Sequence, residues 1–353
     1  MLGQRFQMAS NTSSSFIAYA AVGSPEFGVY PWIGGQDVAN GFGTRYAYPT
    51  VFPATATGIS FTPSCDAIAI CGTYGAGVFF GAYPWTVSGY GTKFANASVL
   101  TSNVTRNPVF TPSANALIMS TDTTPFIHAY QFSSSTGFGT KYSNPSTLPT
   151  SAGKDIAVSP SGDAVAIAHN TSPFVSIYPW SYASGFGTKY ANPATLPTGG
   201  GTGVKFSPAG DAVAVSHGSS PYLSAYIWSS ATGFGTKYAN PSTLPPTSGQ
   251  NVAFSPTGDA VAVGYWATPY VSAYPWSFAT GFGTKYANPS TTLGDVNDLT
   301  FSSNGSVIFF GTSATPALVA LKWSSSSGFG VKYTNPGASP GGNMNEIAFG
   351  TIA

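Results

Sequence analysis

Short apolar runs alternate with clusters of Gly, Pro, Asn and Ser along the whole chain, and none of the runs is long enough for a helix. The runs are rich in Val, Ile, Tyr, Phe, Trp and Thr, the residues that suit a pleated, half-buried strand. No stretch carries apolar residues at three-four spacing for a dozen positions, so amphipathic helices are excluded. The pattern predicts an all-β chain built from a four-strand unit. Strand A is the "VAFS" run and strand B the "AVAVGY" run after a Pro-x-Gly-Asp turn. Strand C is the "VSAYPW" run and strand D the "GTKYAN" run.

The unit repeats. A Gly-aromatic-Gly-Thr-basic-aromatic phrase begins at Gly41, Gly89, Gly137, Gly185, Gly233, Gly281 and Gly328, spaced by 48 residues five times and then by 47. The nine letters "GFGTKYANP" recur unchanged at 185–193, 233–241 and 281–289. An FSP-type phrase precedes every copy but the first, as in "VKFSPAGDAVAV" from Val204 and "VAFSPTGDAVAV" from Val252. Strand C ends in a large aromatic at Trp32, Trp85, Phe132, Trp180, Trp228, Trp276 and Trp323, which are assigned to packing between units. Trp85 comes two residues late, which marks an insertion in the second repeat. Seven small antiparallel sheets of this length predict a seven-bladed β-propeller, because a lone sheet cannot bury both faces and stacking around an axis does so. Residues 1–353 are read as one such domain. Both ends offer a strand A for the first blade: "RFQMAS" near the start and "NEIAFGTIA" at 345–353. The second matches the repeat better and is expected to close the ring.

Composition narrows the function. Charged residues are only 7% of the chain and balance to +1, where an ordinary soluble domain carries about 25%. Twelve scattered Lys and Arg are too few to displace the counterions of a nucleic acid. No segment is apolar over the length of a membrane-spanning helix, and no basic region leads into a secretory apolar stretch. Cys65 and Cys71 flank a strand and read as free thiols.

Chemistry-bearing residues form no familiar constellation. The basic residue of the phrase, Lys189 and its equivalents, is read as scaffold, its stem covering the outer strand. The glycines Gly233 and Gly235 are read as serving a tight C–D turn or a close blade contact, since no strand-to-helix context supports a phosphate loop. The B–C connections vary most between repeats, and variable loops on a rigid scaffold are where recognition is sought. Tyr74, His169, His217, Tyr265 and Trp266 lie there and are the candidate ligand contacts. The histidines have no carboxylate or thiol cluster around them, so no metal site is assigned. No nucleophile elbow or Ser-His-Asp order stands out either. No catalytic residue and no cofactor is assigned.

The phrases "VAFSPTGDAVAVGY…YVSAYPW" and "VKFSPAGDAVAVSH…YLSAYIW" resemble the WD40/YVTN-like propeller family over roughly residues 7–350. The Gly-His and Trp-Asp landmarks of that family are missing. The resemblance implies a propeller whose D–A and B–C connections share one face, and a role as a binding platform. The GFGTKYANP repetition also looks like propellers encoded by tailed bacteriophages. The expectation is therefore a non-enzymatic virion accessory or tail-associated protein, made in the host cytoplasm and displayed on the particle. Its partners would be virion or tail proteins, or a host-surface glycan or protein, with no nucleic acid and no membrane insertion. A carbohydrate-binding propeller lectin and a cytoplasmic protein-interaction scaffold are the alternatives.

Overall fold

A computed structural model describes residues 14–352, except 25, 35–37, 339 and 341. The described residues form seven antiparallel sheets arranged as a seven-bladed propeller, six of them with four strands. In the fifth blade the strands run Gly201–Phe206, Ala212–His217, Leu223–Ser229 and Gly233–Lys237, in sequence order from inside to outside. The first blade has three strands. Its inner strand is Met344–Ile352 from the C-terminus, paired with Ser14–Ala21, which pairs in turn with Phe27–Trp32. A single bridge between Trp32 and Phe42 stands where its outer strand would be. The C-terminal strand thus closes the ring, as the sequence indicated. The "RFQMAS" segment lies outside the described residues.

The "AVAV" wording of strand B has a packing reason. A blade is covered on both faces, so its middle strand is buried at every position, as in Ala212–His217 and Ala164–His169. Side chains alternate between the two faces, and the alternation is small on one face and large on the other. Ala164, Ala166 and Ala168 of the fourth blade meet Val213 and Val215 of the fifth in one apolar cluster. Ala212 and Ala214 of the fifth meet Val261 and Val263 of the sixth in the next. Small against large lets neighbouring sheets interdigitate at interior density.

Toward the periphery the repeated phrase joins consecutive blades. Tyr190, at the end of the fourth blade, sets its ring 5.0 Å from Trp228 of the fifth, edge to face. Its hydroxyl donates to the Ser230 carbonyl at 2.6 Å. Tyr142–Trp180, Tyr238–Trp276 and Tyr286–Trp323 repeat the contact at 4.9 to 5.2 Å, and Phe94–Phe132 stands in for it at 5.8 Å. Tyr333–Trp32, at 4.9 Å, carries it across the closure. Gly233 has φ of +83°, and a Cβ there would approach Tyr190 at 3.1 Å, so both reasons foreseen for this glycine hold. The phrase's lysine stays on its own blade: Lys141 Nζ donates to Asn144 Oδ1 at 3.0 Å and Lys189 Nζ to Asn192 Oδ1 at 2.5 Å. The turn aspartate likewise acts locally, with Asp211 Oδ1 accepting from Ser207 Oγ at 2.7 Å.

Replacing Trp228 by Ala opens a cavity against Tyr190, Phe206 and Phe234. It is expected to cost about 3–5 kcal/mol, read as a lowered midpoint in guanidinium denaturation. Tyr190→Phe keeps the ring, loses one hydrogen bond, and should cost about 1 kcal/mol.

Candidate functional site at the axial channel

Each inner strand carries a register irregularity in its first half, as at Gly153/Asp155 and Val296/Asp298. Such bulges bend a strand and re-aim the extra residue. Three residues before the end of the aligned inner-strand segment, the seven blades place Gly58, Asn107, Asp155, Gly203, Asn251, Asp298 and Glu346. All of these but Gly58 and Gly203 line one cavity of about 380 Å³, together with the neighbouring residues Arg106, Lys154, Asn297 and Asn345. Because every blade contributes to its lining, this cavity lies on the propeller axis. It sits at the face of the B–C and D–A connections: Asp122 of a B–C loop lines it, and Thr150 of a D–A connection bonds to the Thr171 carbonyl of a B–C loop at 3.1 Å.

Three carboxylates hold the floor together. Asp155 Oδ1 accepts from Ile156 N at 2.8 Å, and its Oδ2 accepts from Val204 N of the next blade at 2.9 Å. Asp298 repeats this with Leu299 N at 2.8 Å and Ile347 N at 2.7 Å. Glu346 Oε2 accepts from Ile59 N at 3.0 Å, again one blade on. Gly58 makes room for that carboxylate, since a Cβ there would stand 2.5 Å from Oε2. Lys205 enters from the fifth blade and its Nζ donates to Asp155 Oδ2 at 2.5 Å, with 5% of the aspartate side chain exposed.

The charges are strongly coupled. Burial pushes the Asp298 carboxyl up to about 7, against the pull of its backbone donor and of Lys205. Burial also raises Glu346 well above the carboxylate range, and the neighbouring Asp298 and Asp155 add to the rise. For Lys205 burial disfavours the ammonium, but the adjacent Asp155 outweighs it and the group stays charged. At the rim, Arg106 Nη2 pairs with Asp122 Oδ2 at 3.0 Å. Among the described residues no group of three or more His, Cys, Asp and Glu converges as metal ligands. The positive charge set among these carboxylates is Lys205's ammonium. Buried carboxyls raised above their usual range beside a fixed cation are equipped for proton transfer and for stabilising a developing oxyanion.

The candidate contacts read from the sequence fall elsewhere, with one exception. His169 and His217 are fully buried at the ends of their B strands, bonded through Nε2 to Ser176 Oγ at 3.0 Å and Ser224 Oγ at 2.9 Å. Burial depresses both to about 4, so they are neutral at physiological pH. Tyr265 is equally buried and shares a 2.9 Å hydrogen bond with Ser272. These three side chains join strands B and C and offer no surface to a ligand. Tyr74 packs in the second blade, with its hydroxyl 3.2 Å from that of Tyr83 and Lys93 Nζ 5.3 Å from its ring centroid, away from the axial cavity. Trp266 alone is exposed, at 56%, and its Nε1 donates to Asn297 Oδ1 at 2.7 Å on the cavity rim. The packing aromatics Trp32, Trp85, Phe132, Trp180, Trp228, Trp276 and Trp323 are all buried. Sequence reasoning missed Asp155, Lys205, Asp298 and Glu346. A charge inside an apolar strand, in a chain with so few charges, was the available signal. A larger cleft of about 570 Å³ at the closure seam has, among the described residues, Tyr46 as its one titratable group.

No protein-family model matches the sequence, and no curated protein matches it. Solved structures do match in fold. A candidate 6-phosphogluconolactonase from Bacteroides fragilis superposes with a TM-score of 0.74 at 8% identity, covering 97% of this chain and 99% of that one. The periplasmic gluconolactonase of Pseudomonas aeruginosa gives 0.72 at 14% identity, with the same coverage. A Lactobacillus plantarum protein gives 0.73 at 12% identity over 95% and 99%. At such identities the likeness is one of fold alone. It corrects the expected kinship with phage-encoded WD40/YVTN-like propellers, because these structures of matching length are bacterial. It also overturns the non-enzymatic virion or tail-associated role and the exclusion of an enzyme, because two of these three bear lactonase names. No helix among the described residues is long and apolar enough to cross a membrane.

The raised carboxyls fix the direction of a stability change. Asp298 moves from 3.8 to about 7 on folding, so between those values the native state holds a proton that the unfolded chain has released. Its contribution is complete below pH 3.8 and is lost as pH rises through 7. The wild-type thermal midpoint, measured relative to that of the double variant Asp298→Asn/Glu346→Gln, should therefore fall between pH 4 and pH 7.5. The comparison cancels the buried histidines His128, His169 and His217, which are depressed to about 4 and add stability as pH rises over the same range in both proteins.

Proposed function

We propose that the protein is a hydrolase that opens a small cyclic ester of a sugar acid at the mouth of its axial channel. The observation that carries the reading is Glu346: one carboxyl oxygen is fixed by Ile59 N, while the residue lines a polar cavity beside Asp298 and the Lys205 ammonium. In the ionised form its second oxygen serves as the base for a water molecule. That water attacks the ester carbonyl, and Lys205 steadies the negative charge that develops on the carbonyl oxygen. The ring C–O bond then breaks, the ring oxygen takes a proton from Glu346, and a hydroxy acid leaves. Asp155 keeps Lys205 charged and in place. Asp298, with both oxygens already committed to backbone donors, acts on Glu346 through its charge. The lactonase names of propellers with the same architecture support the choice of substrate class.

The test is hydrolysis of δ-gluconolactone followed with a pH indicator, with the spontaneous rate subtracted. The wild-type rate should rise with pH through an apparent pKa well above the usual carboxylate range, a property of the Asp298–Glu346 pair as a unit. Glu346→Gln should lower kcat by about 10²–10⁴-fold and remove that limb. Equal rates for wild type and Glu346→Gln would refute the assignment.

A further inference from the structure

We propose that Trp266 is the stacking wall of a sugar-ring subsite, holding the apolar C–H face of the substrate ring over the carboxylate floor. The inference rests on the hydrolase reading for the identity of the ligand, but its geometry is independent of that reading. Trp266 occupies the first position after strand B of the sixth blade. The same position holds Asp122, Asn170, Gly218 and Ser313 in other repeats. Those repeats build the same blade without an aromatic there, so the fold does not require one.

An indole is among the costliest groups to leave in water, yet this one is 56% exposed. It is also held in position, because Nε1 donates to Asn297 Oδ1 at 2.7 Å and Asn297 lines the axial cavity. An exposed ring fixed by its one polar atom presents its π-face rather than its N–H. Across the cavity, three of seven blades away, stands the Arg106–Asp122 pair, which offers charged donors and acceptors. The mouth therefore has an aromatic side and a hydrogen-bonding side, with the reactive carboxyls beneath. Such a site fits a flattened polyhydroxylated ring, with C–H groups toward Trp266, hydroxyls toward Arg106 and Asp122, and the carbonyl carbon toward Glu346.

The molecule supplies its own reporter. The other six tryptophans are each no more than 9% exposed, so acrylamide-accessible emission comes from Trp266. The probe is δ-gluconolactam, the ring with a hydrolysis-resistant amide, with sorbitol as the open-chain control. The lactam should protect the accessible emission from acrylamide and sorbitol should not, while Trp266→Phe should lack the accessible component from the start. In kinetics with δ-gluconolactone, Trp266→Ala should raise KM about tenfold with kcat nearly unchanged, as expected for losing one apolar contact face. Trp266→Phe, which keeps a ring but not the bond to Asn297, should fall between. Protection without hydrolysis would remove the hydrolase reading and leave the subsite standing. Hydrolysis with no protection and an unchanged KM in Trp266→Ala would overturn the subsite, and so would the absence of both hydrolysis and protection.

Discussion

The contact between the last aromatic of one blade and the strand-C aromatic of the next sets the geometry on which everything else depends. It is an edge-to-face packing of rings, worth about 0.5–1.5 kcal/mol beyond area burial for each pair. It recurs at every blade junction, from Tyr46–Trp85 around to Tyr333–Trp32. The contact needs a glycine beside it. At Gly41, Gly89, Gly137, Gly185, Gly233, Gly281 and Gly328 a Cβ would stand within about 3 Å of the preceding blade's aromatic ring or ring-bearing carbon. One phrase therefore encodes half of two interfaces. Its glycine receives the ring from the blade before, and its final aromatic is delivered to the blade after. That is why the phrase is repeated with so little change, and why its lysine, bonded to an asparagine three residues on, carries no functional message.

The same logic explains what could be read from the sequence. Architecture was legible because it is written seven times, and ring closure because residues 345–352 match an inner strand better than anything at the other end. The site was not legible, because it consists of differences between repeats at positions that only the fold brings together. Gly58, Asn107, Asp155, Gly203, Asn251, Asp298 and Glu346 are separated along the chain and converge only on the axis. Variation in the B–C connections drew attention instead. There His169, His217 and Tyr265 differ in type yet do one job, reaching a serine or its neighbourhood on strand C from a buried position. A polar or aromatic side chain ending a strand looks the same in the sequence whether it points outward or in. Trp266 differs from them by a single position: it stands one residue past the end of strand B, in the connection to strand C, and is exposed there.

A symmetric scaffold becomes an asymmetric site through a limited set of backbone donors. Just after the bulge, the inner strands of the fifth, first and second blades each present an N–H to the preceding blade, at Val204, Ile347 and Ile59, and an unpaired N–H in so confined a place is costly. Three blades satisfy the next one with a carboxylate: Asp155 for Val204, Asp298 for Ile347 and Glu346 for Ile59. The carboxylates thus serve the scaffold first, and burial on the axis, with the charge of neighbouring carboxylates adding to it, raises Asp298 and Glu346. Lys205 relieves the repulsion at Asp155 and leaves it in force between the other two.

Glu346 belongs to the strand that closes the ring, and its partner Ile59 lies in the second blade. Asp298 reaches the same closing strand from the opposite side, through Ile347 N. The two carboxyls with the most strongly perturbed protonation therefore face each other only after residues 344–352 have docked between the seventh and second blades. Before docking, neither is buried by the other's strand, and burial is the main cause of both shifts. Closure of the propeller and assembly of its reactive floor are consequently one event. The strand that completes the first blade also carries Glu346, the group on which the proposed chemistry turns.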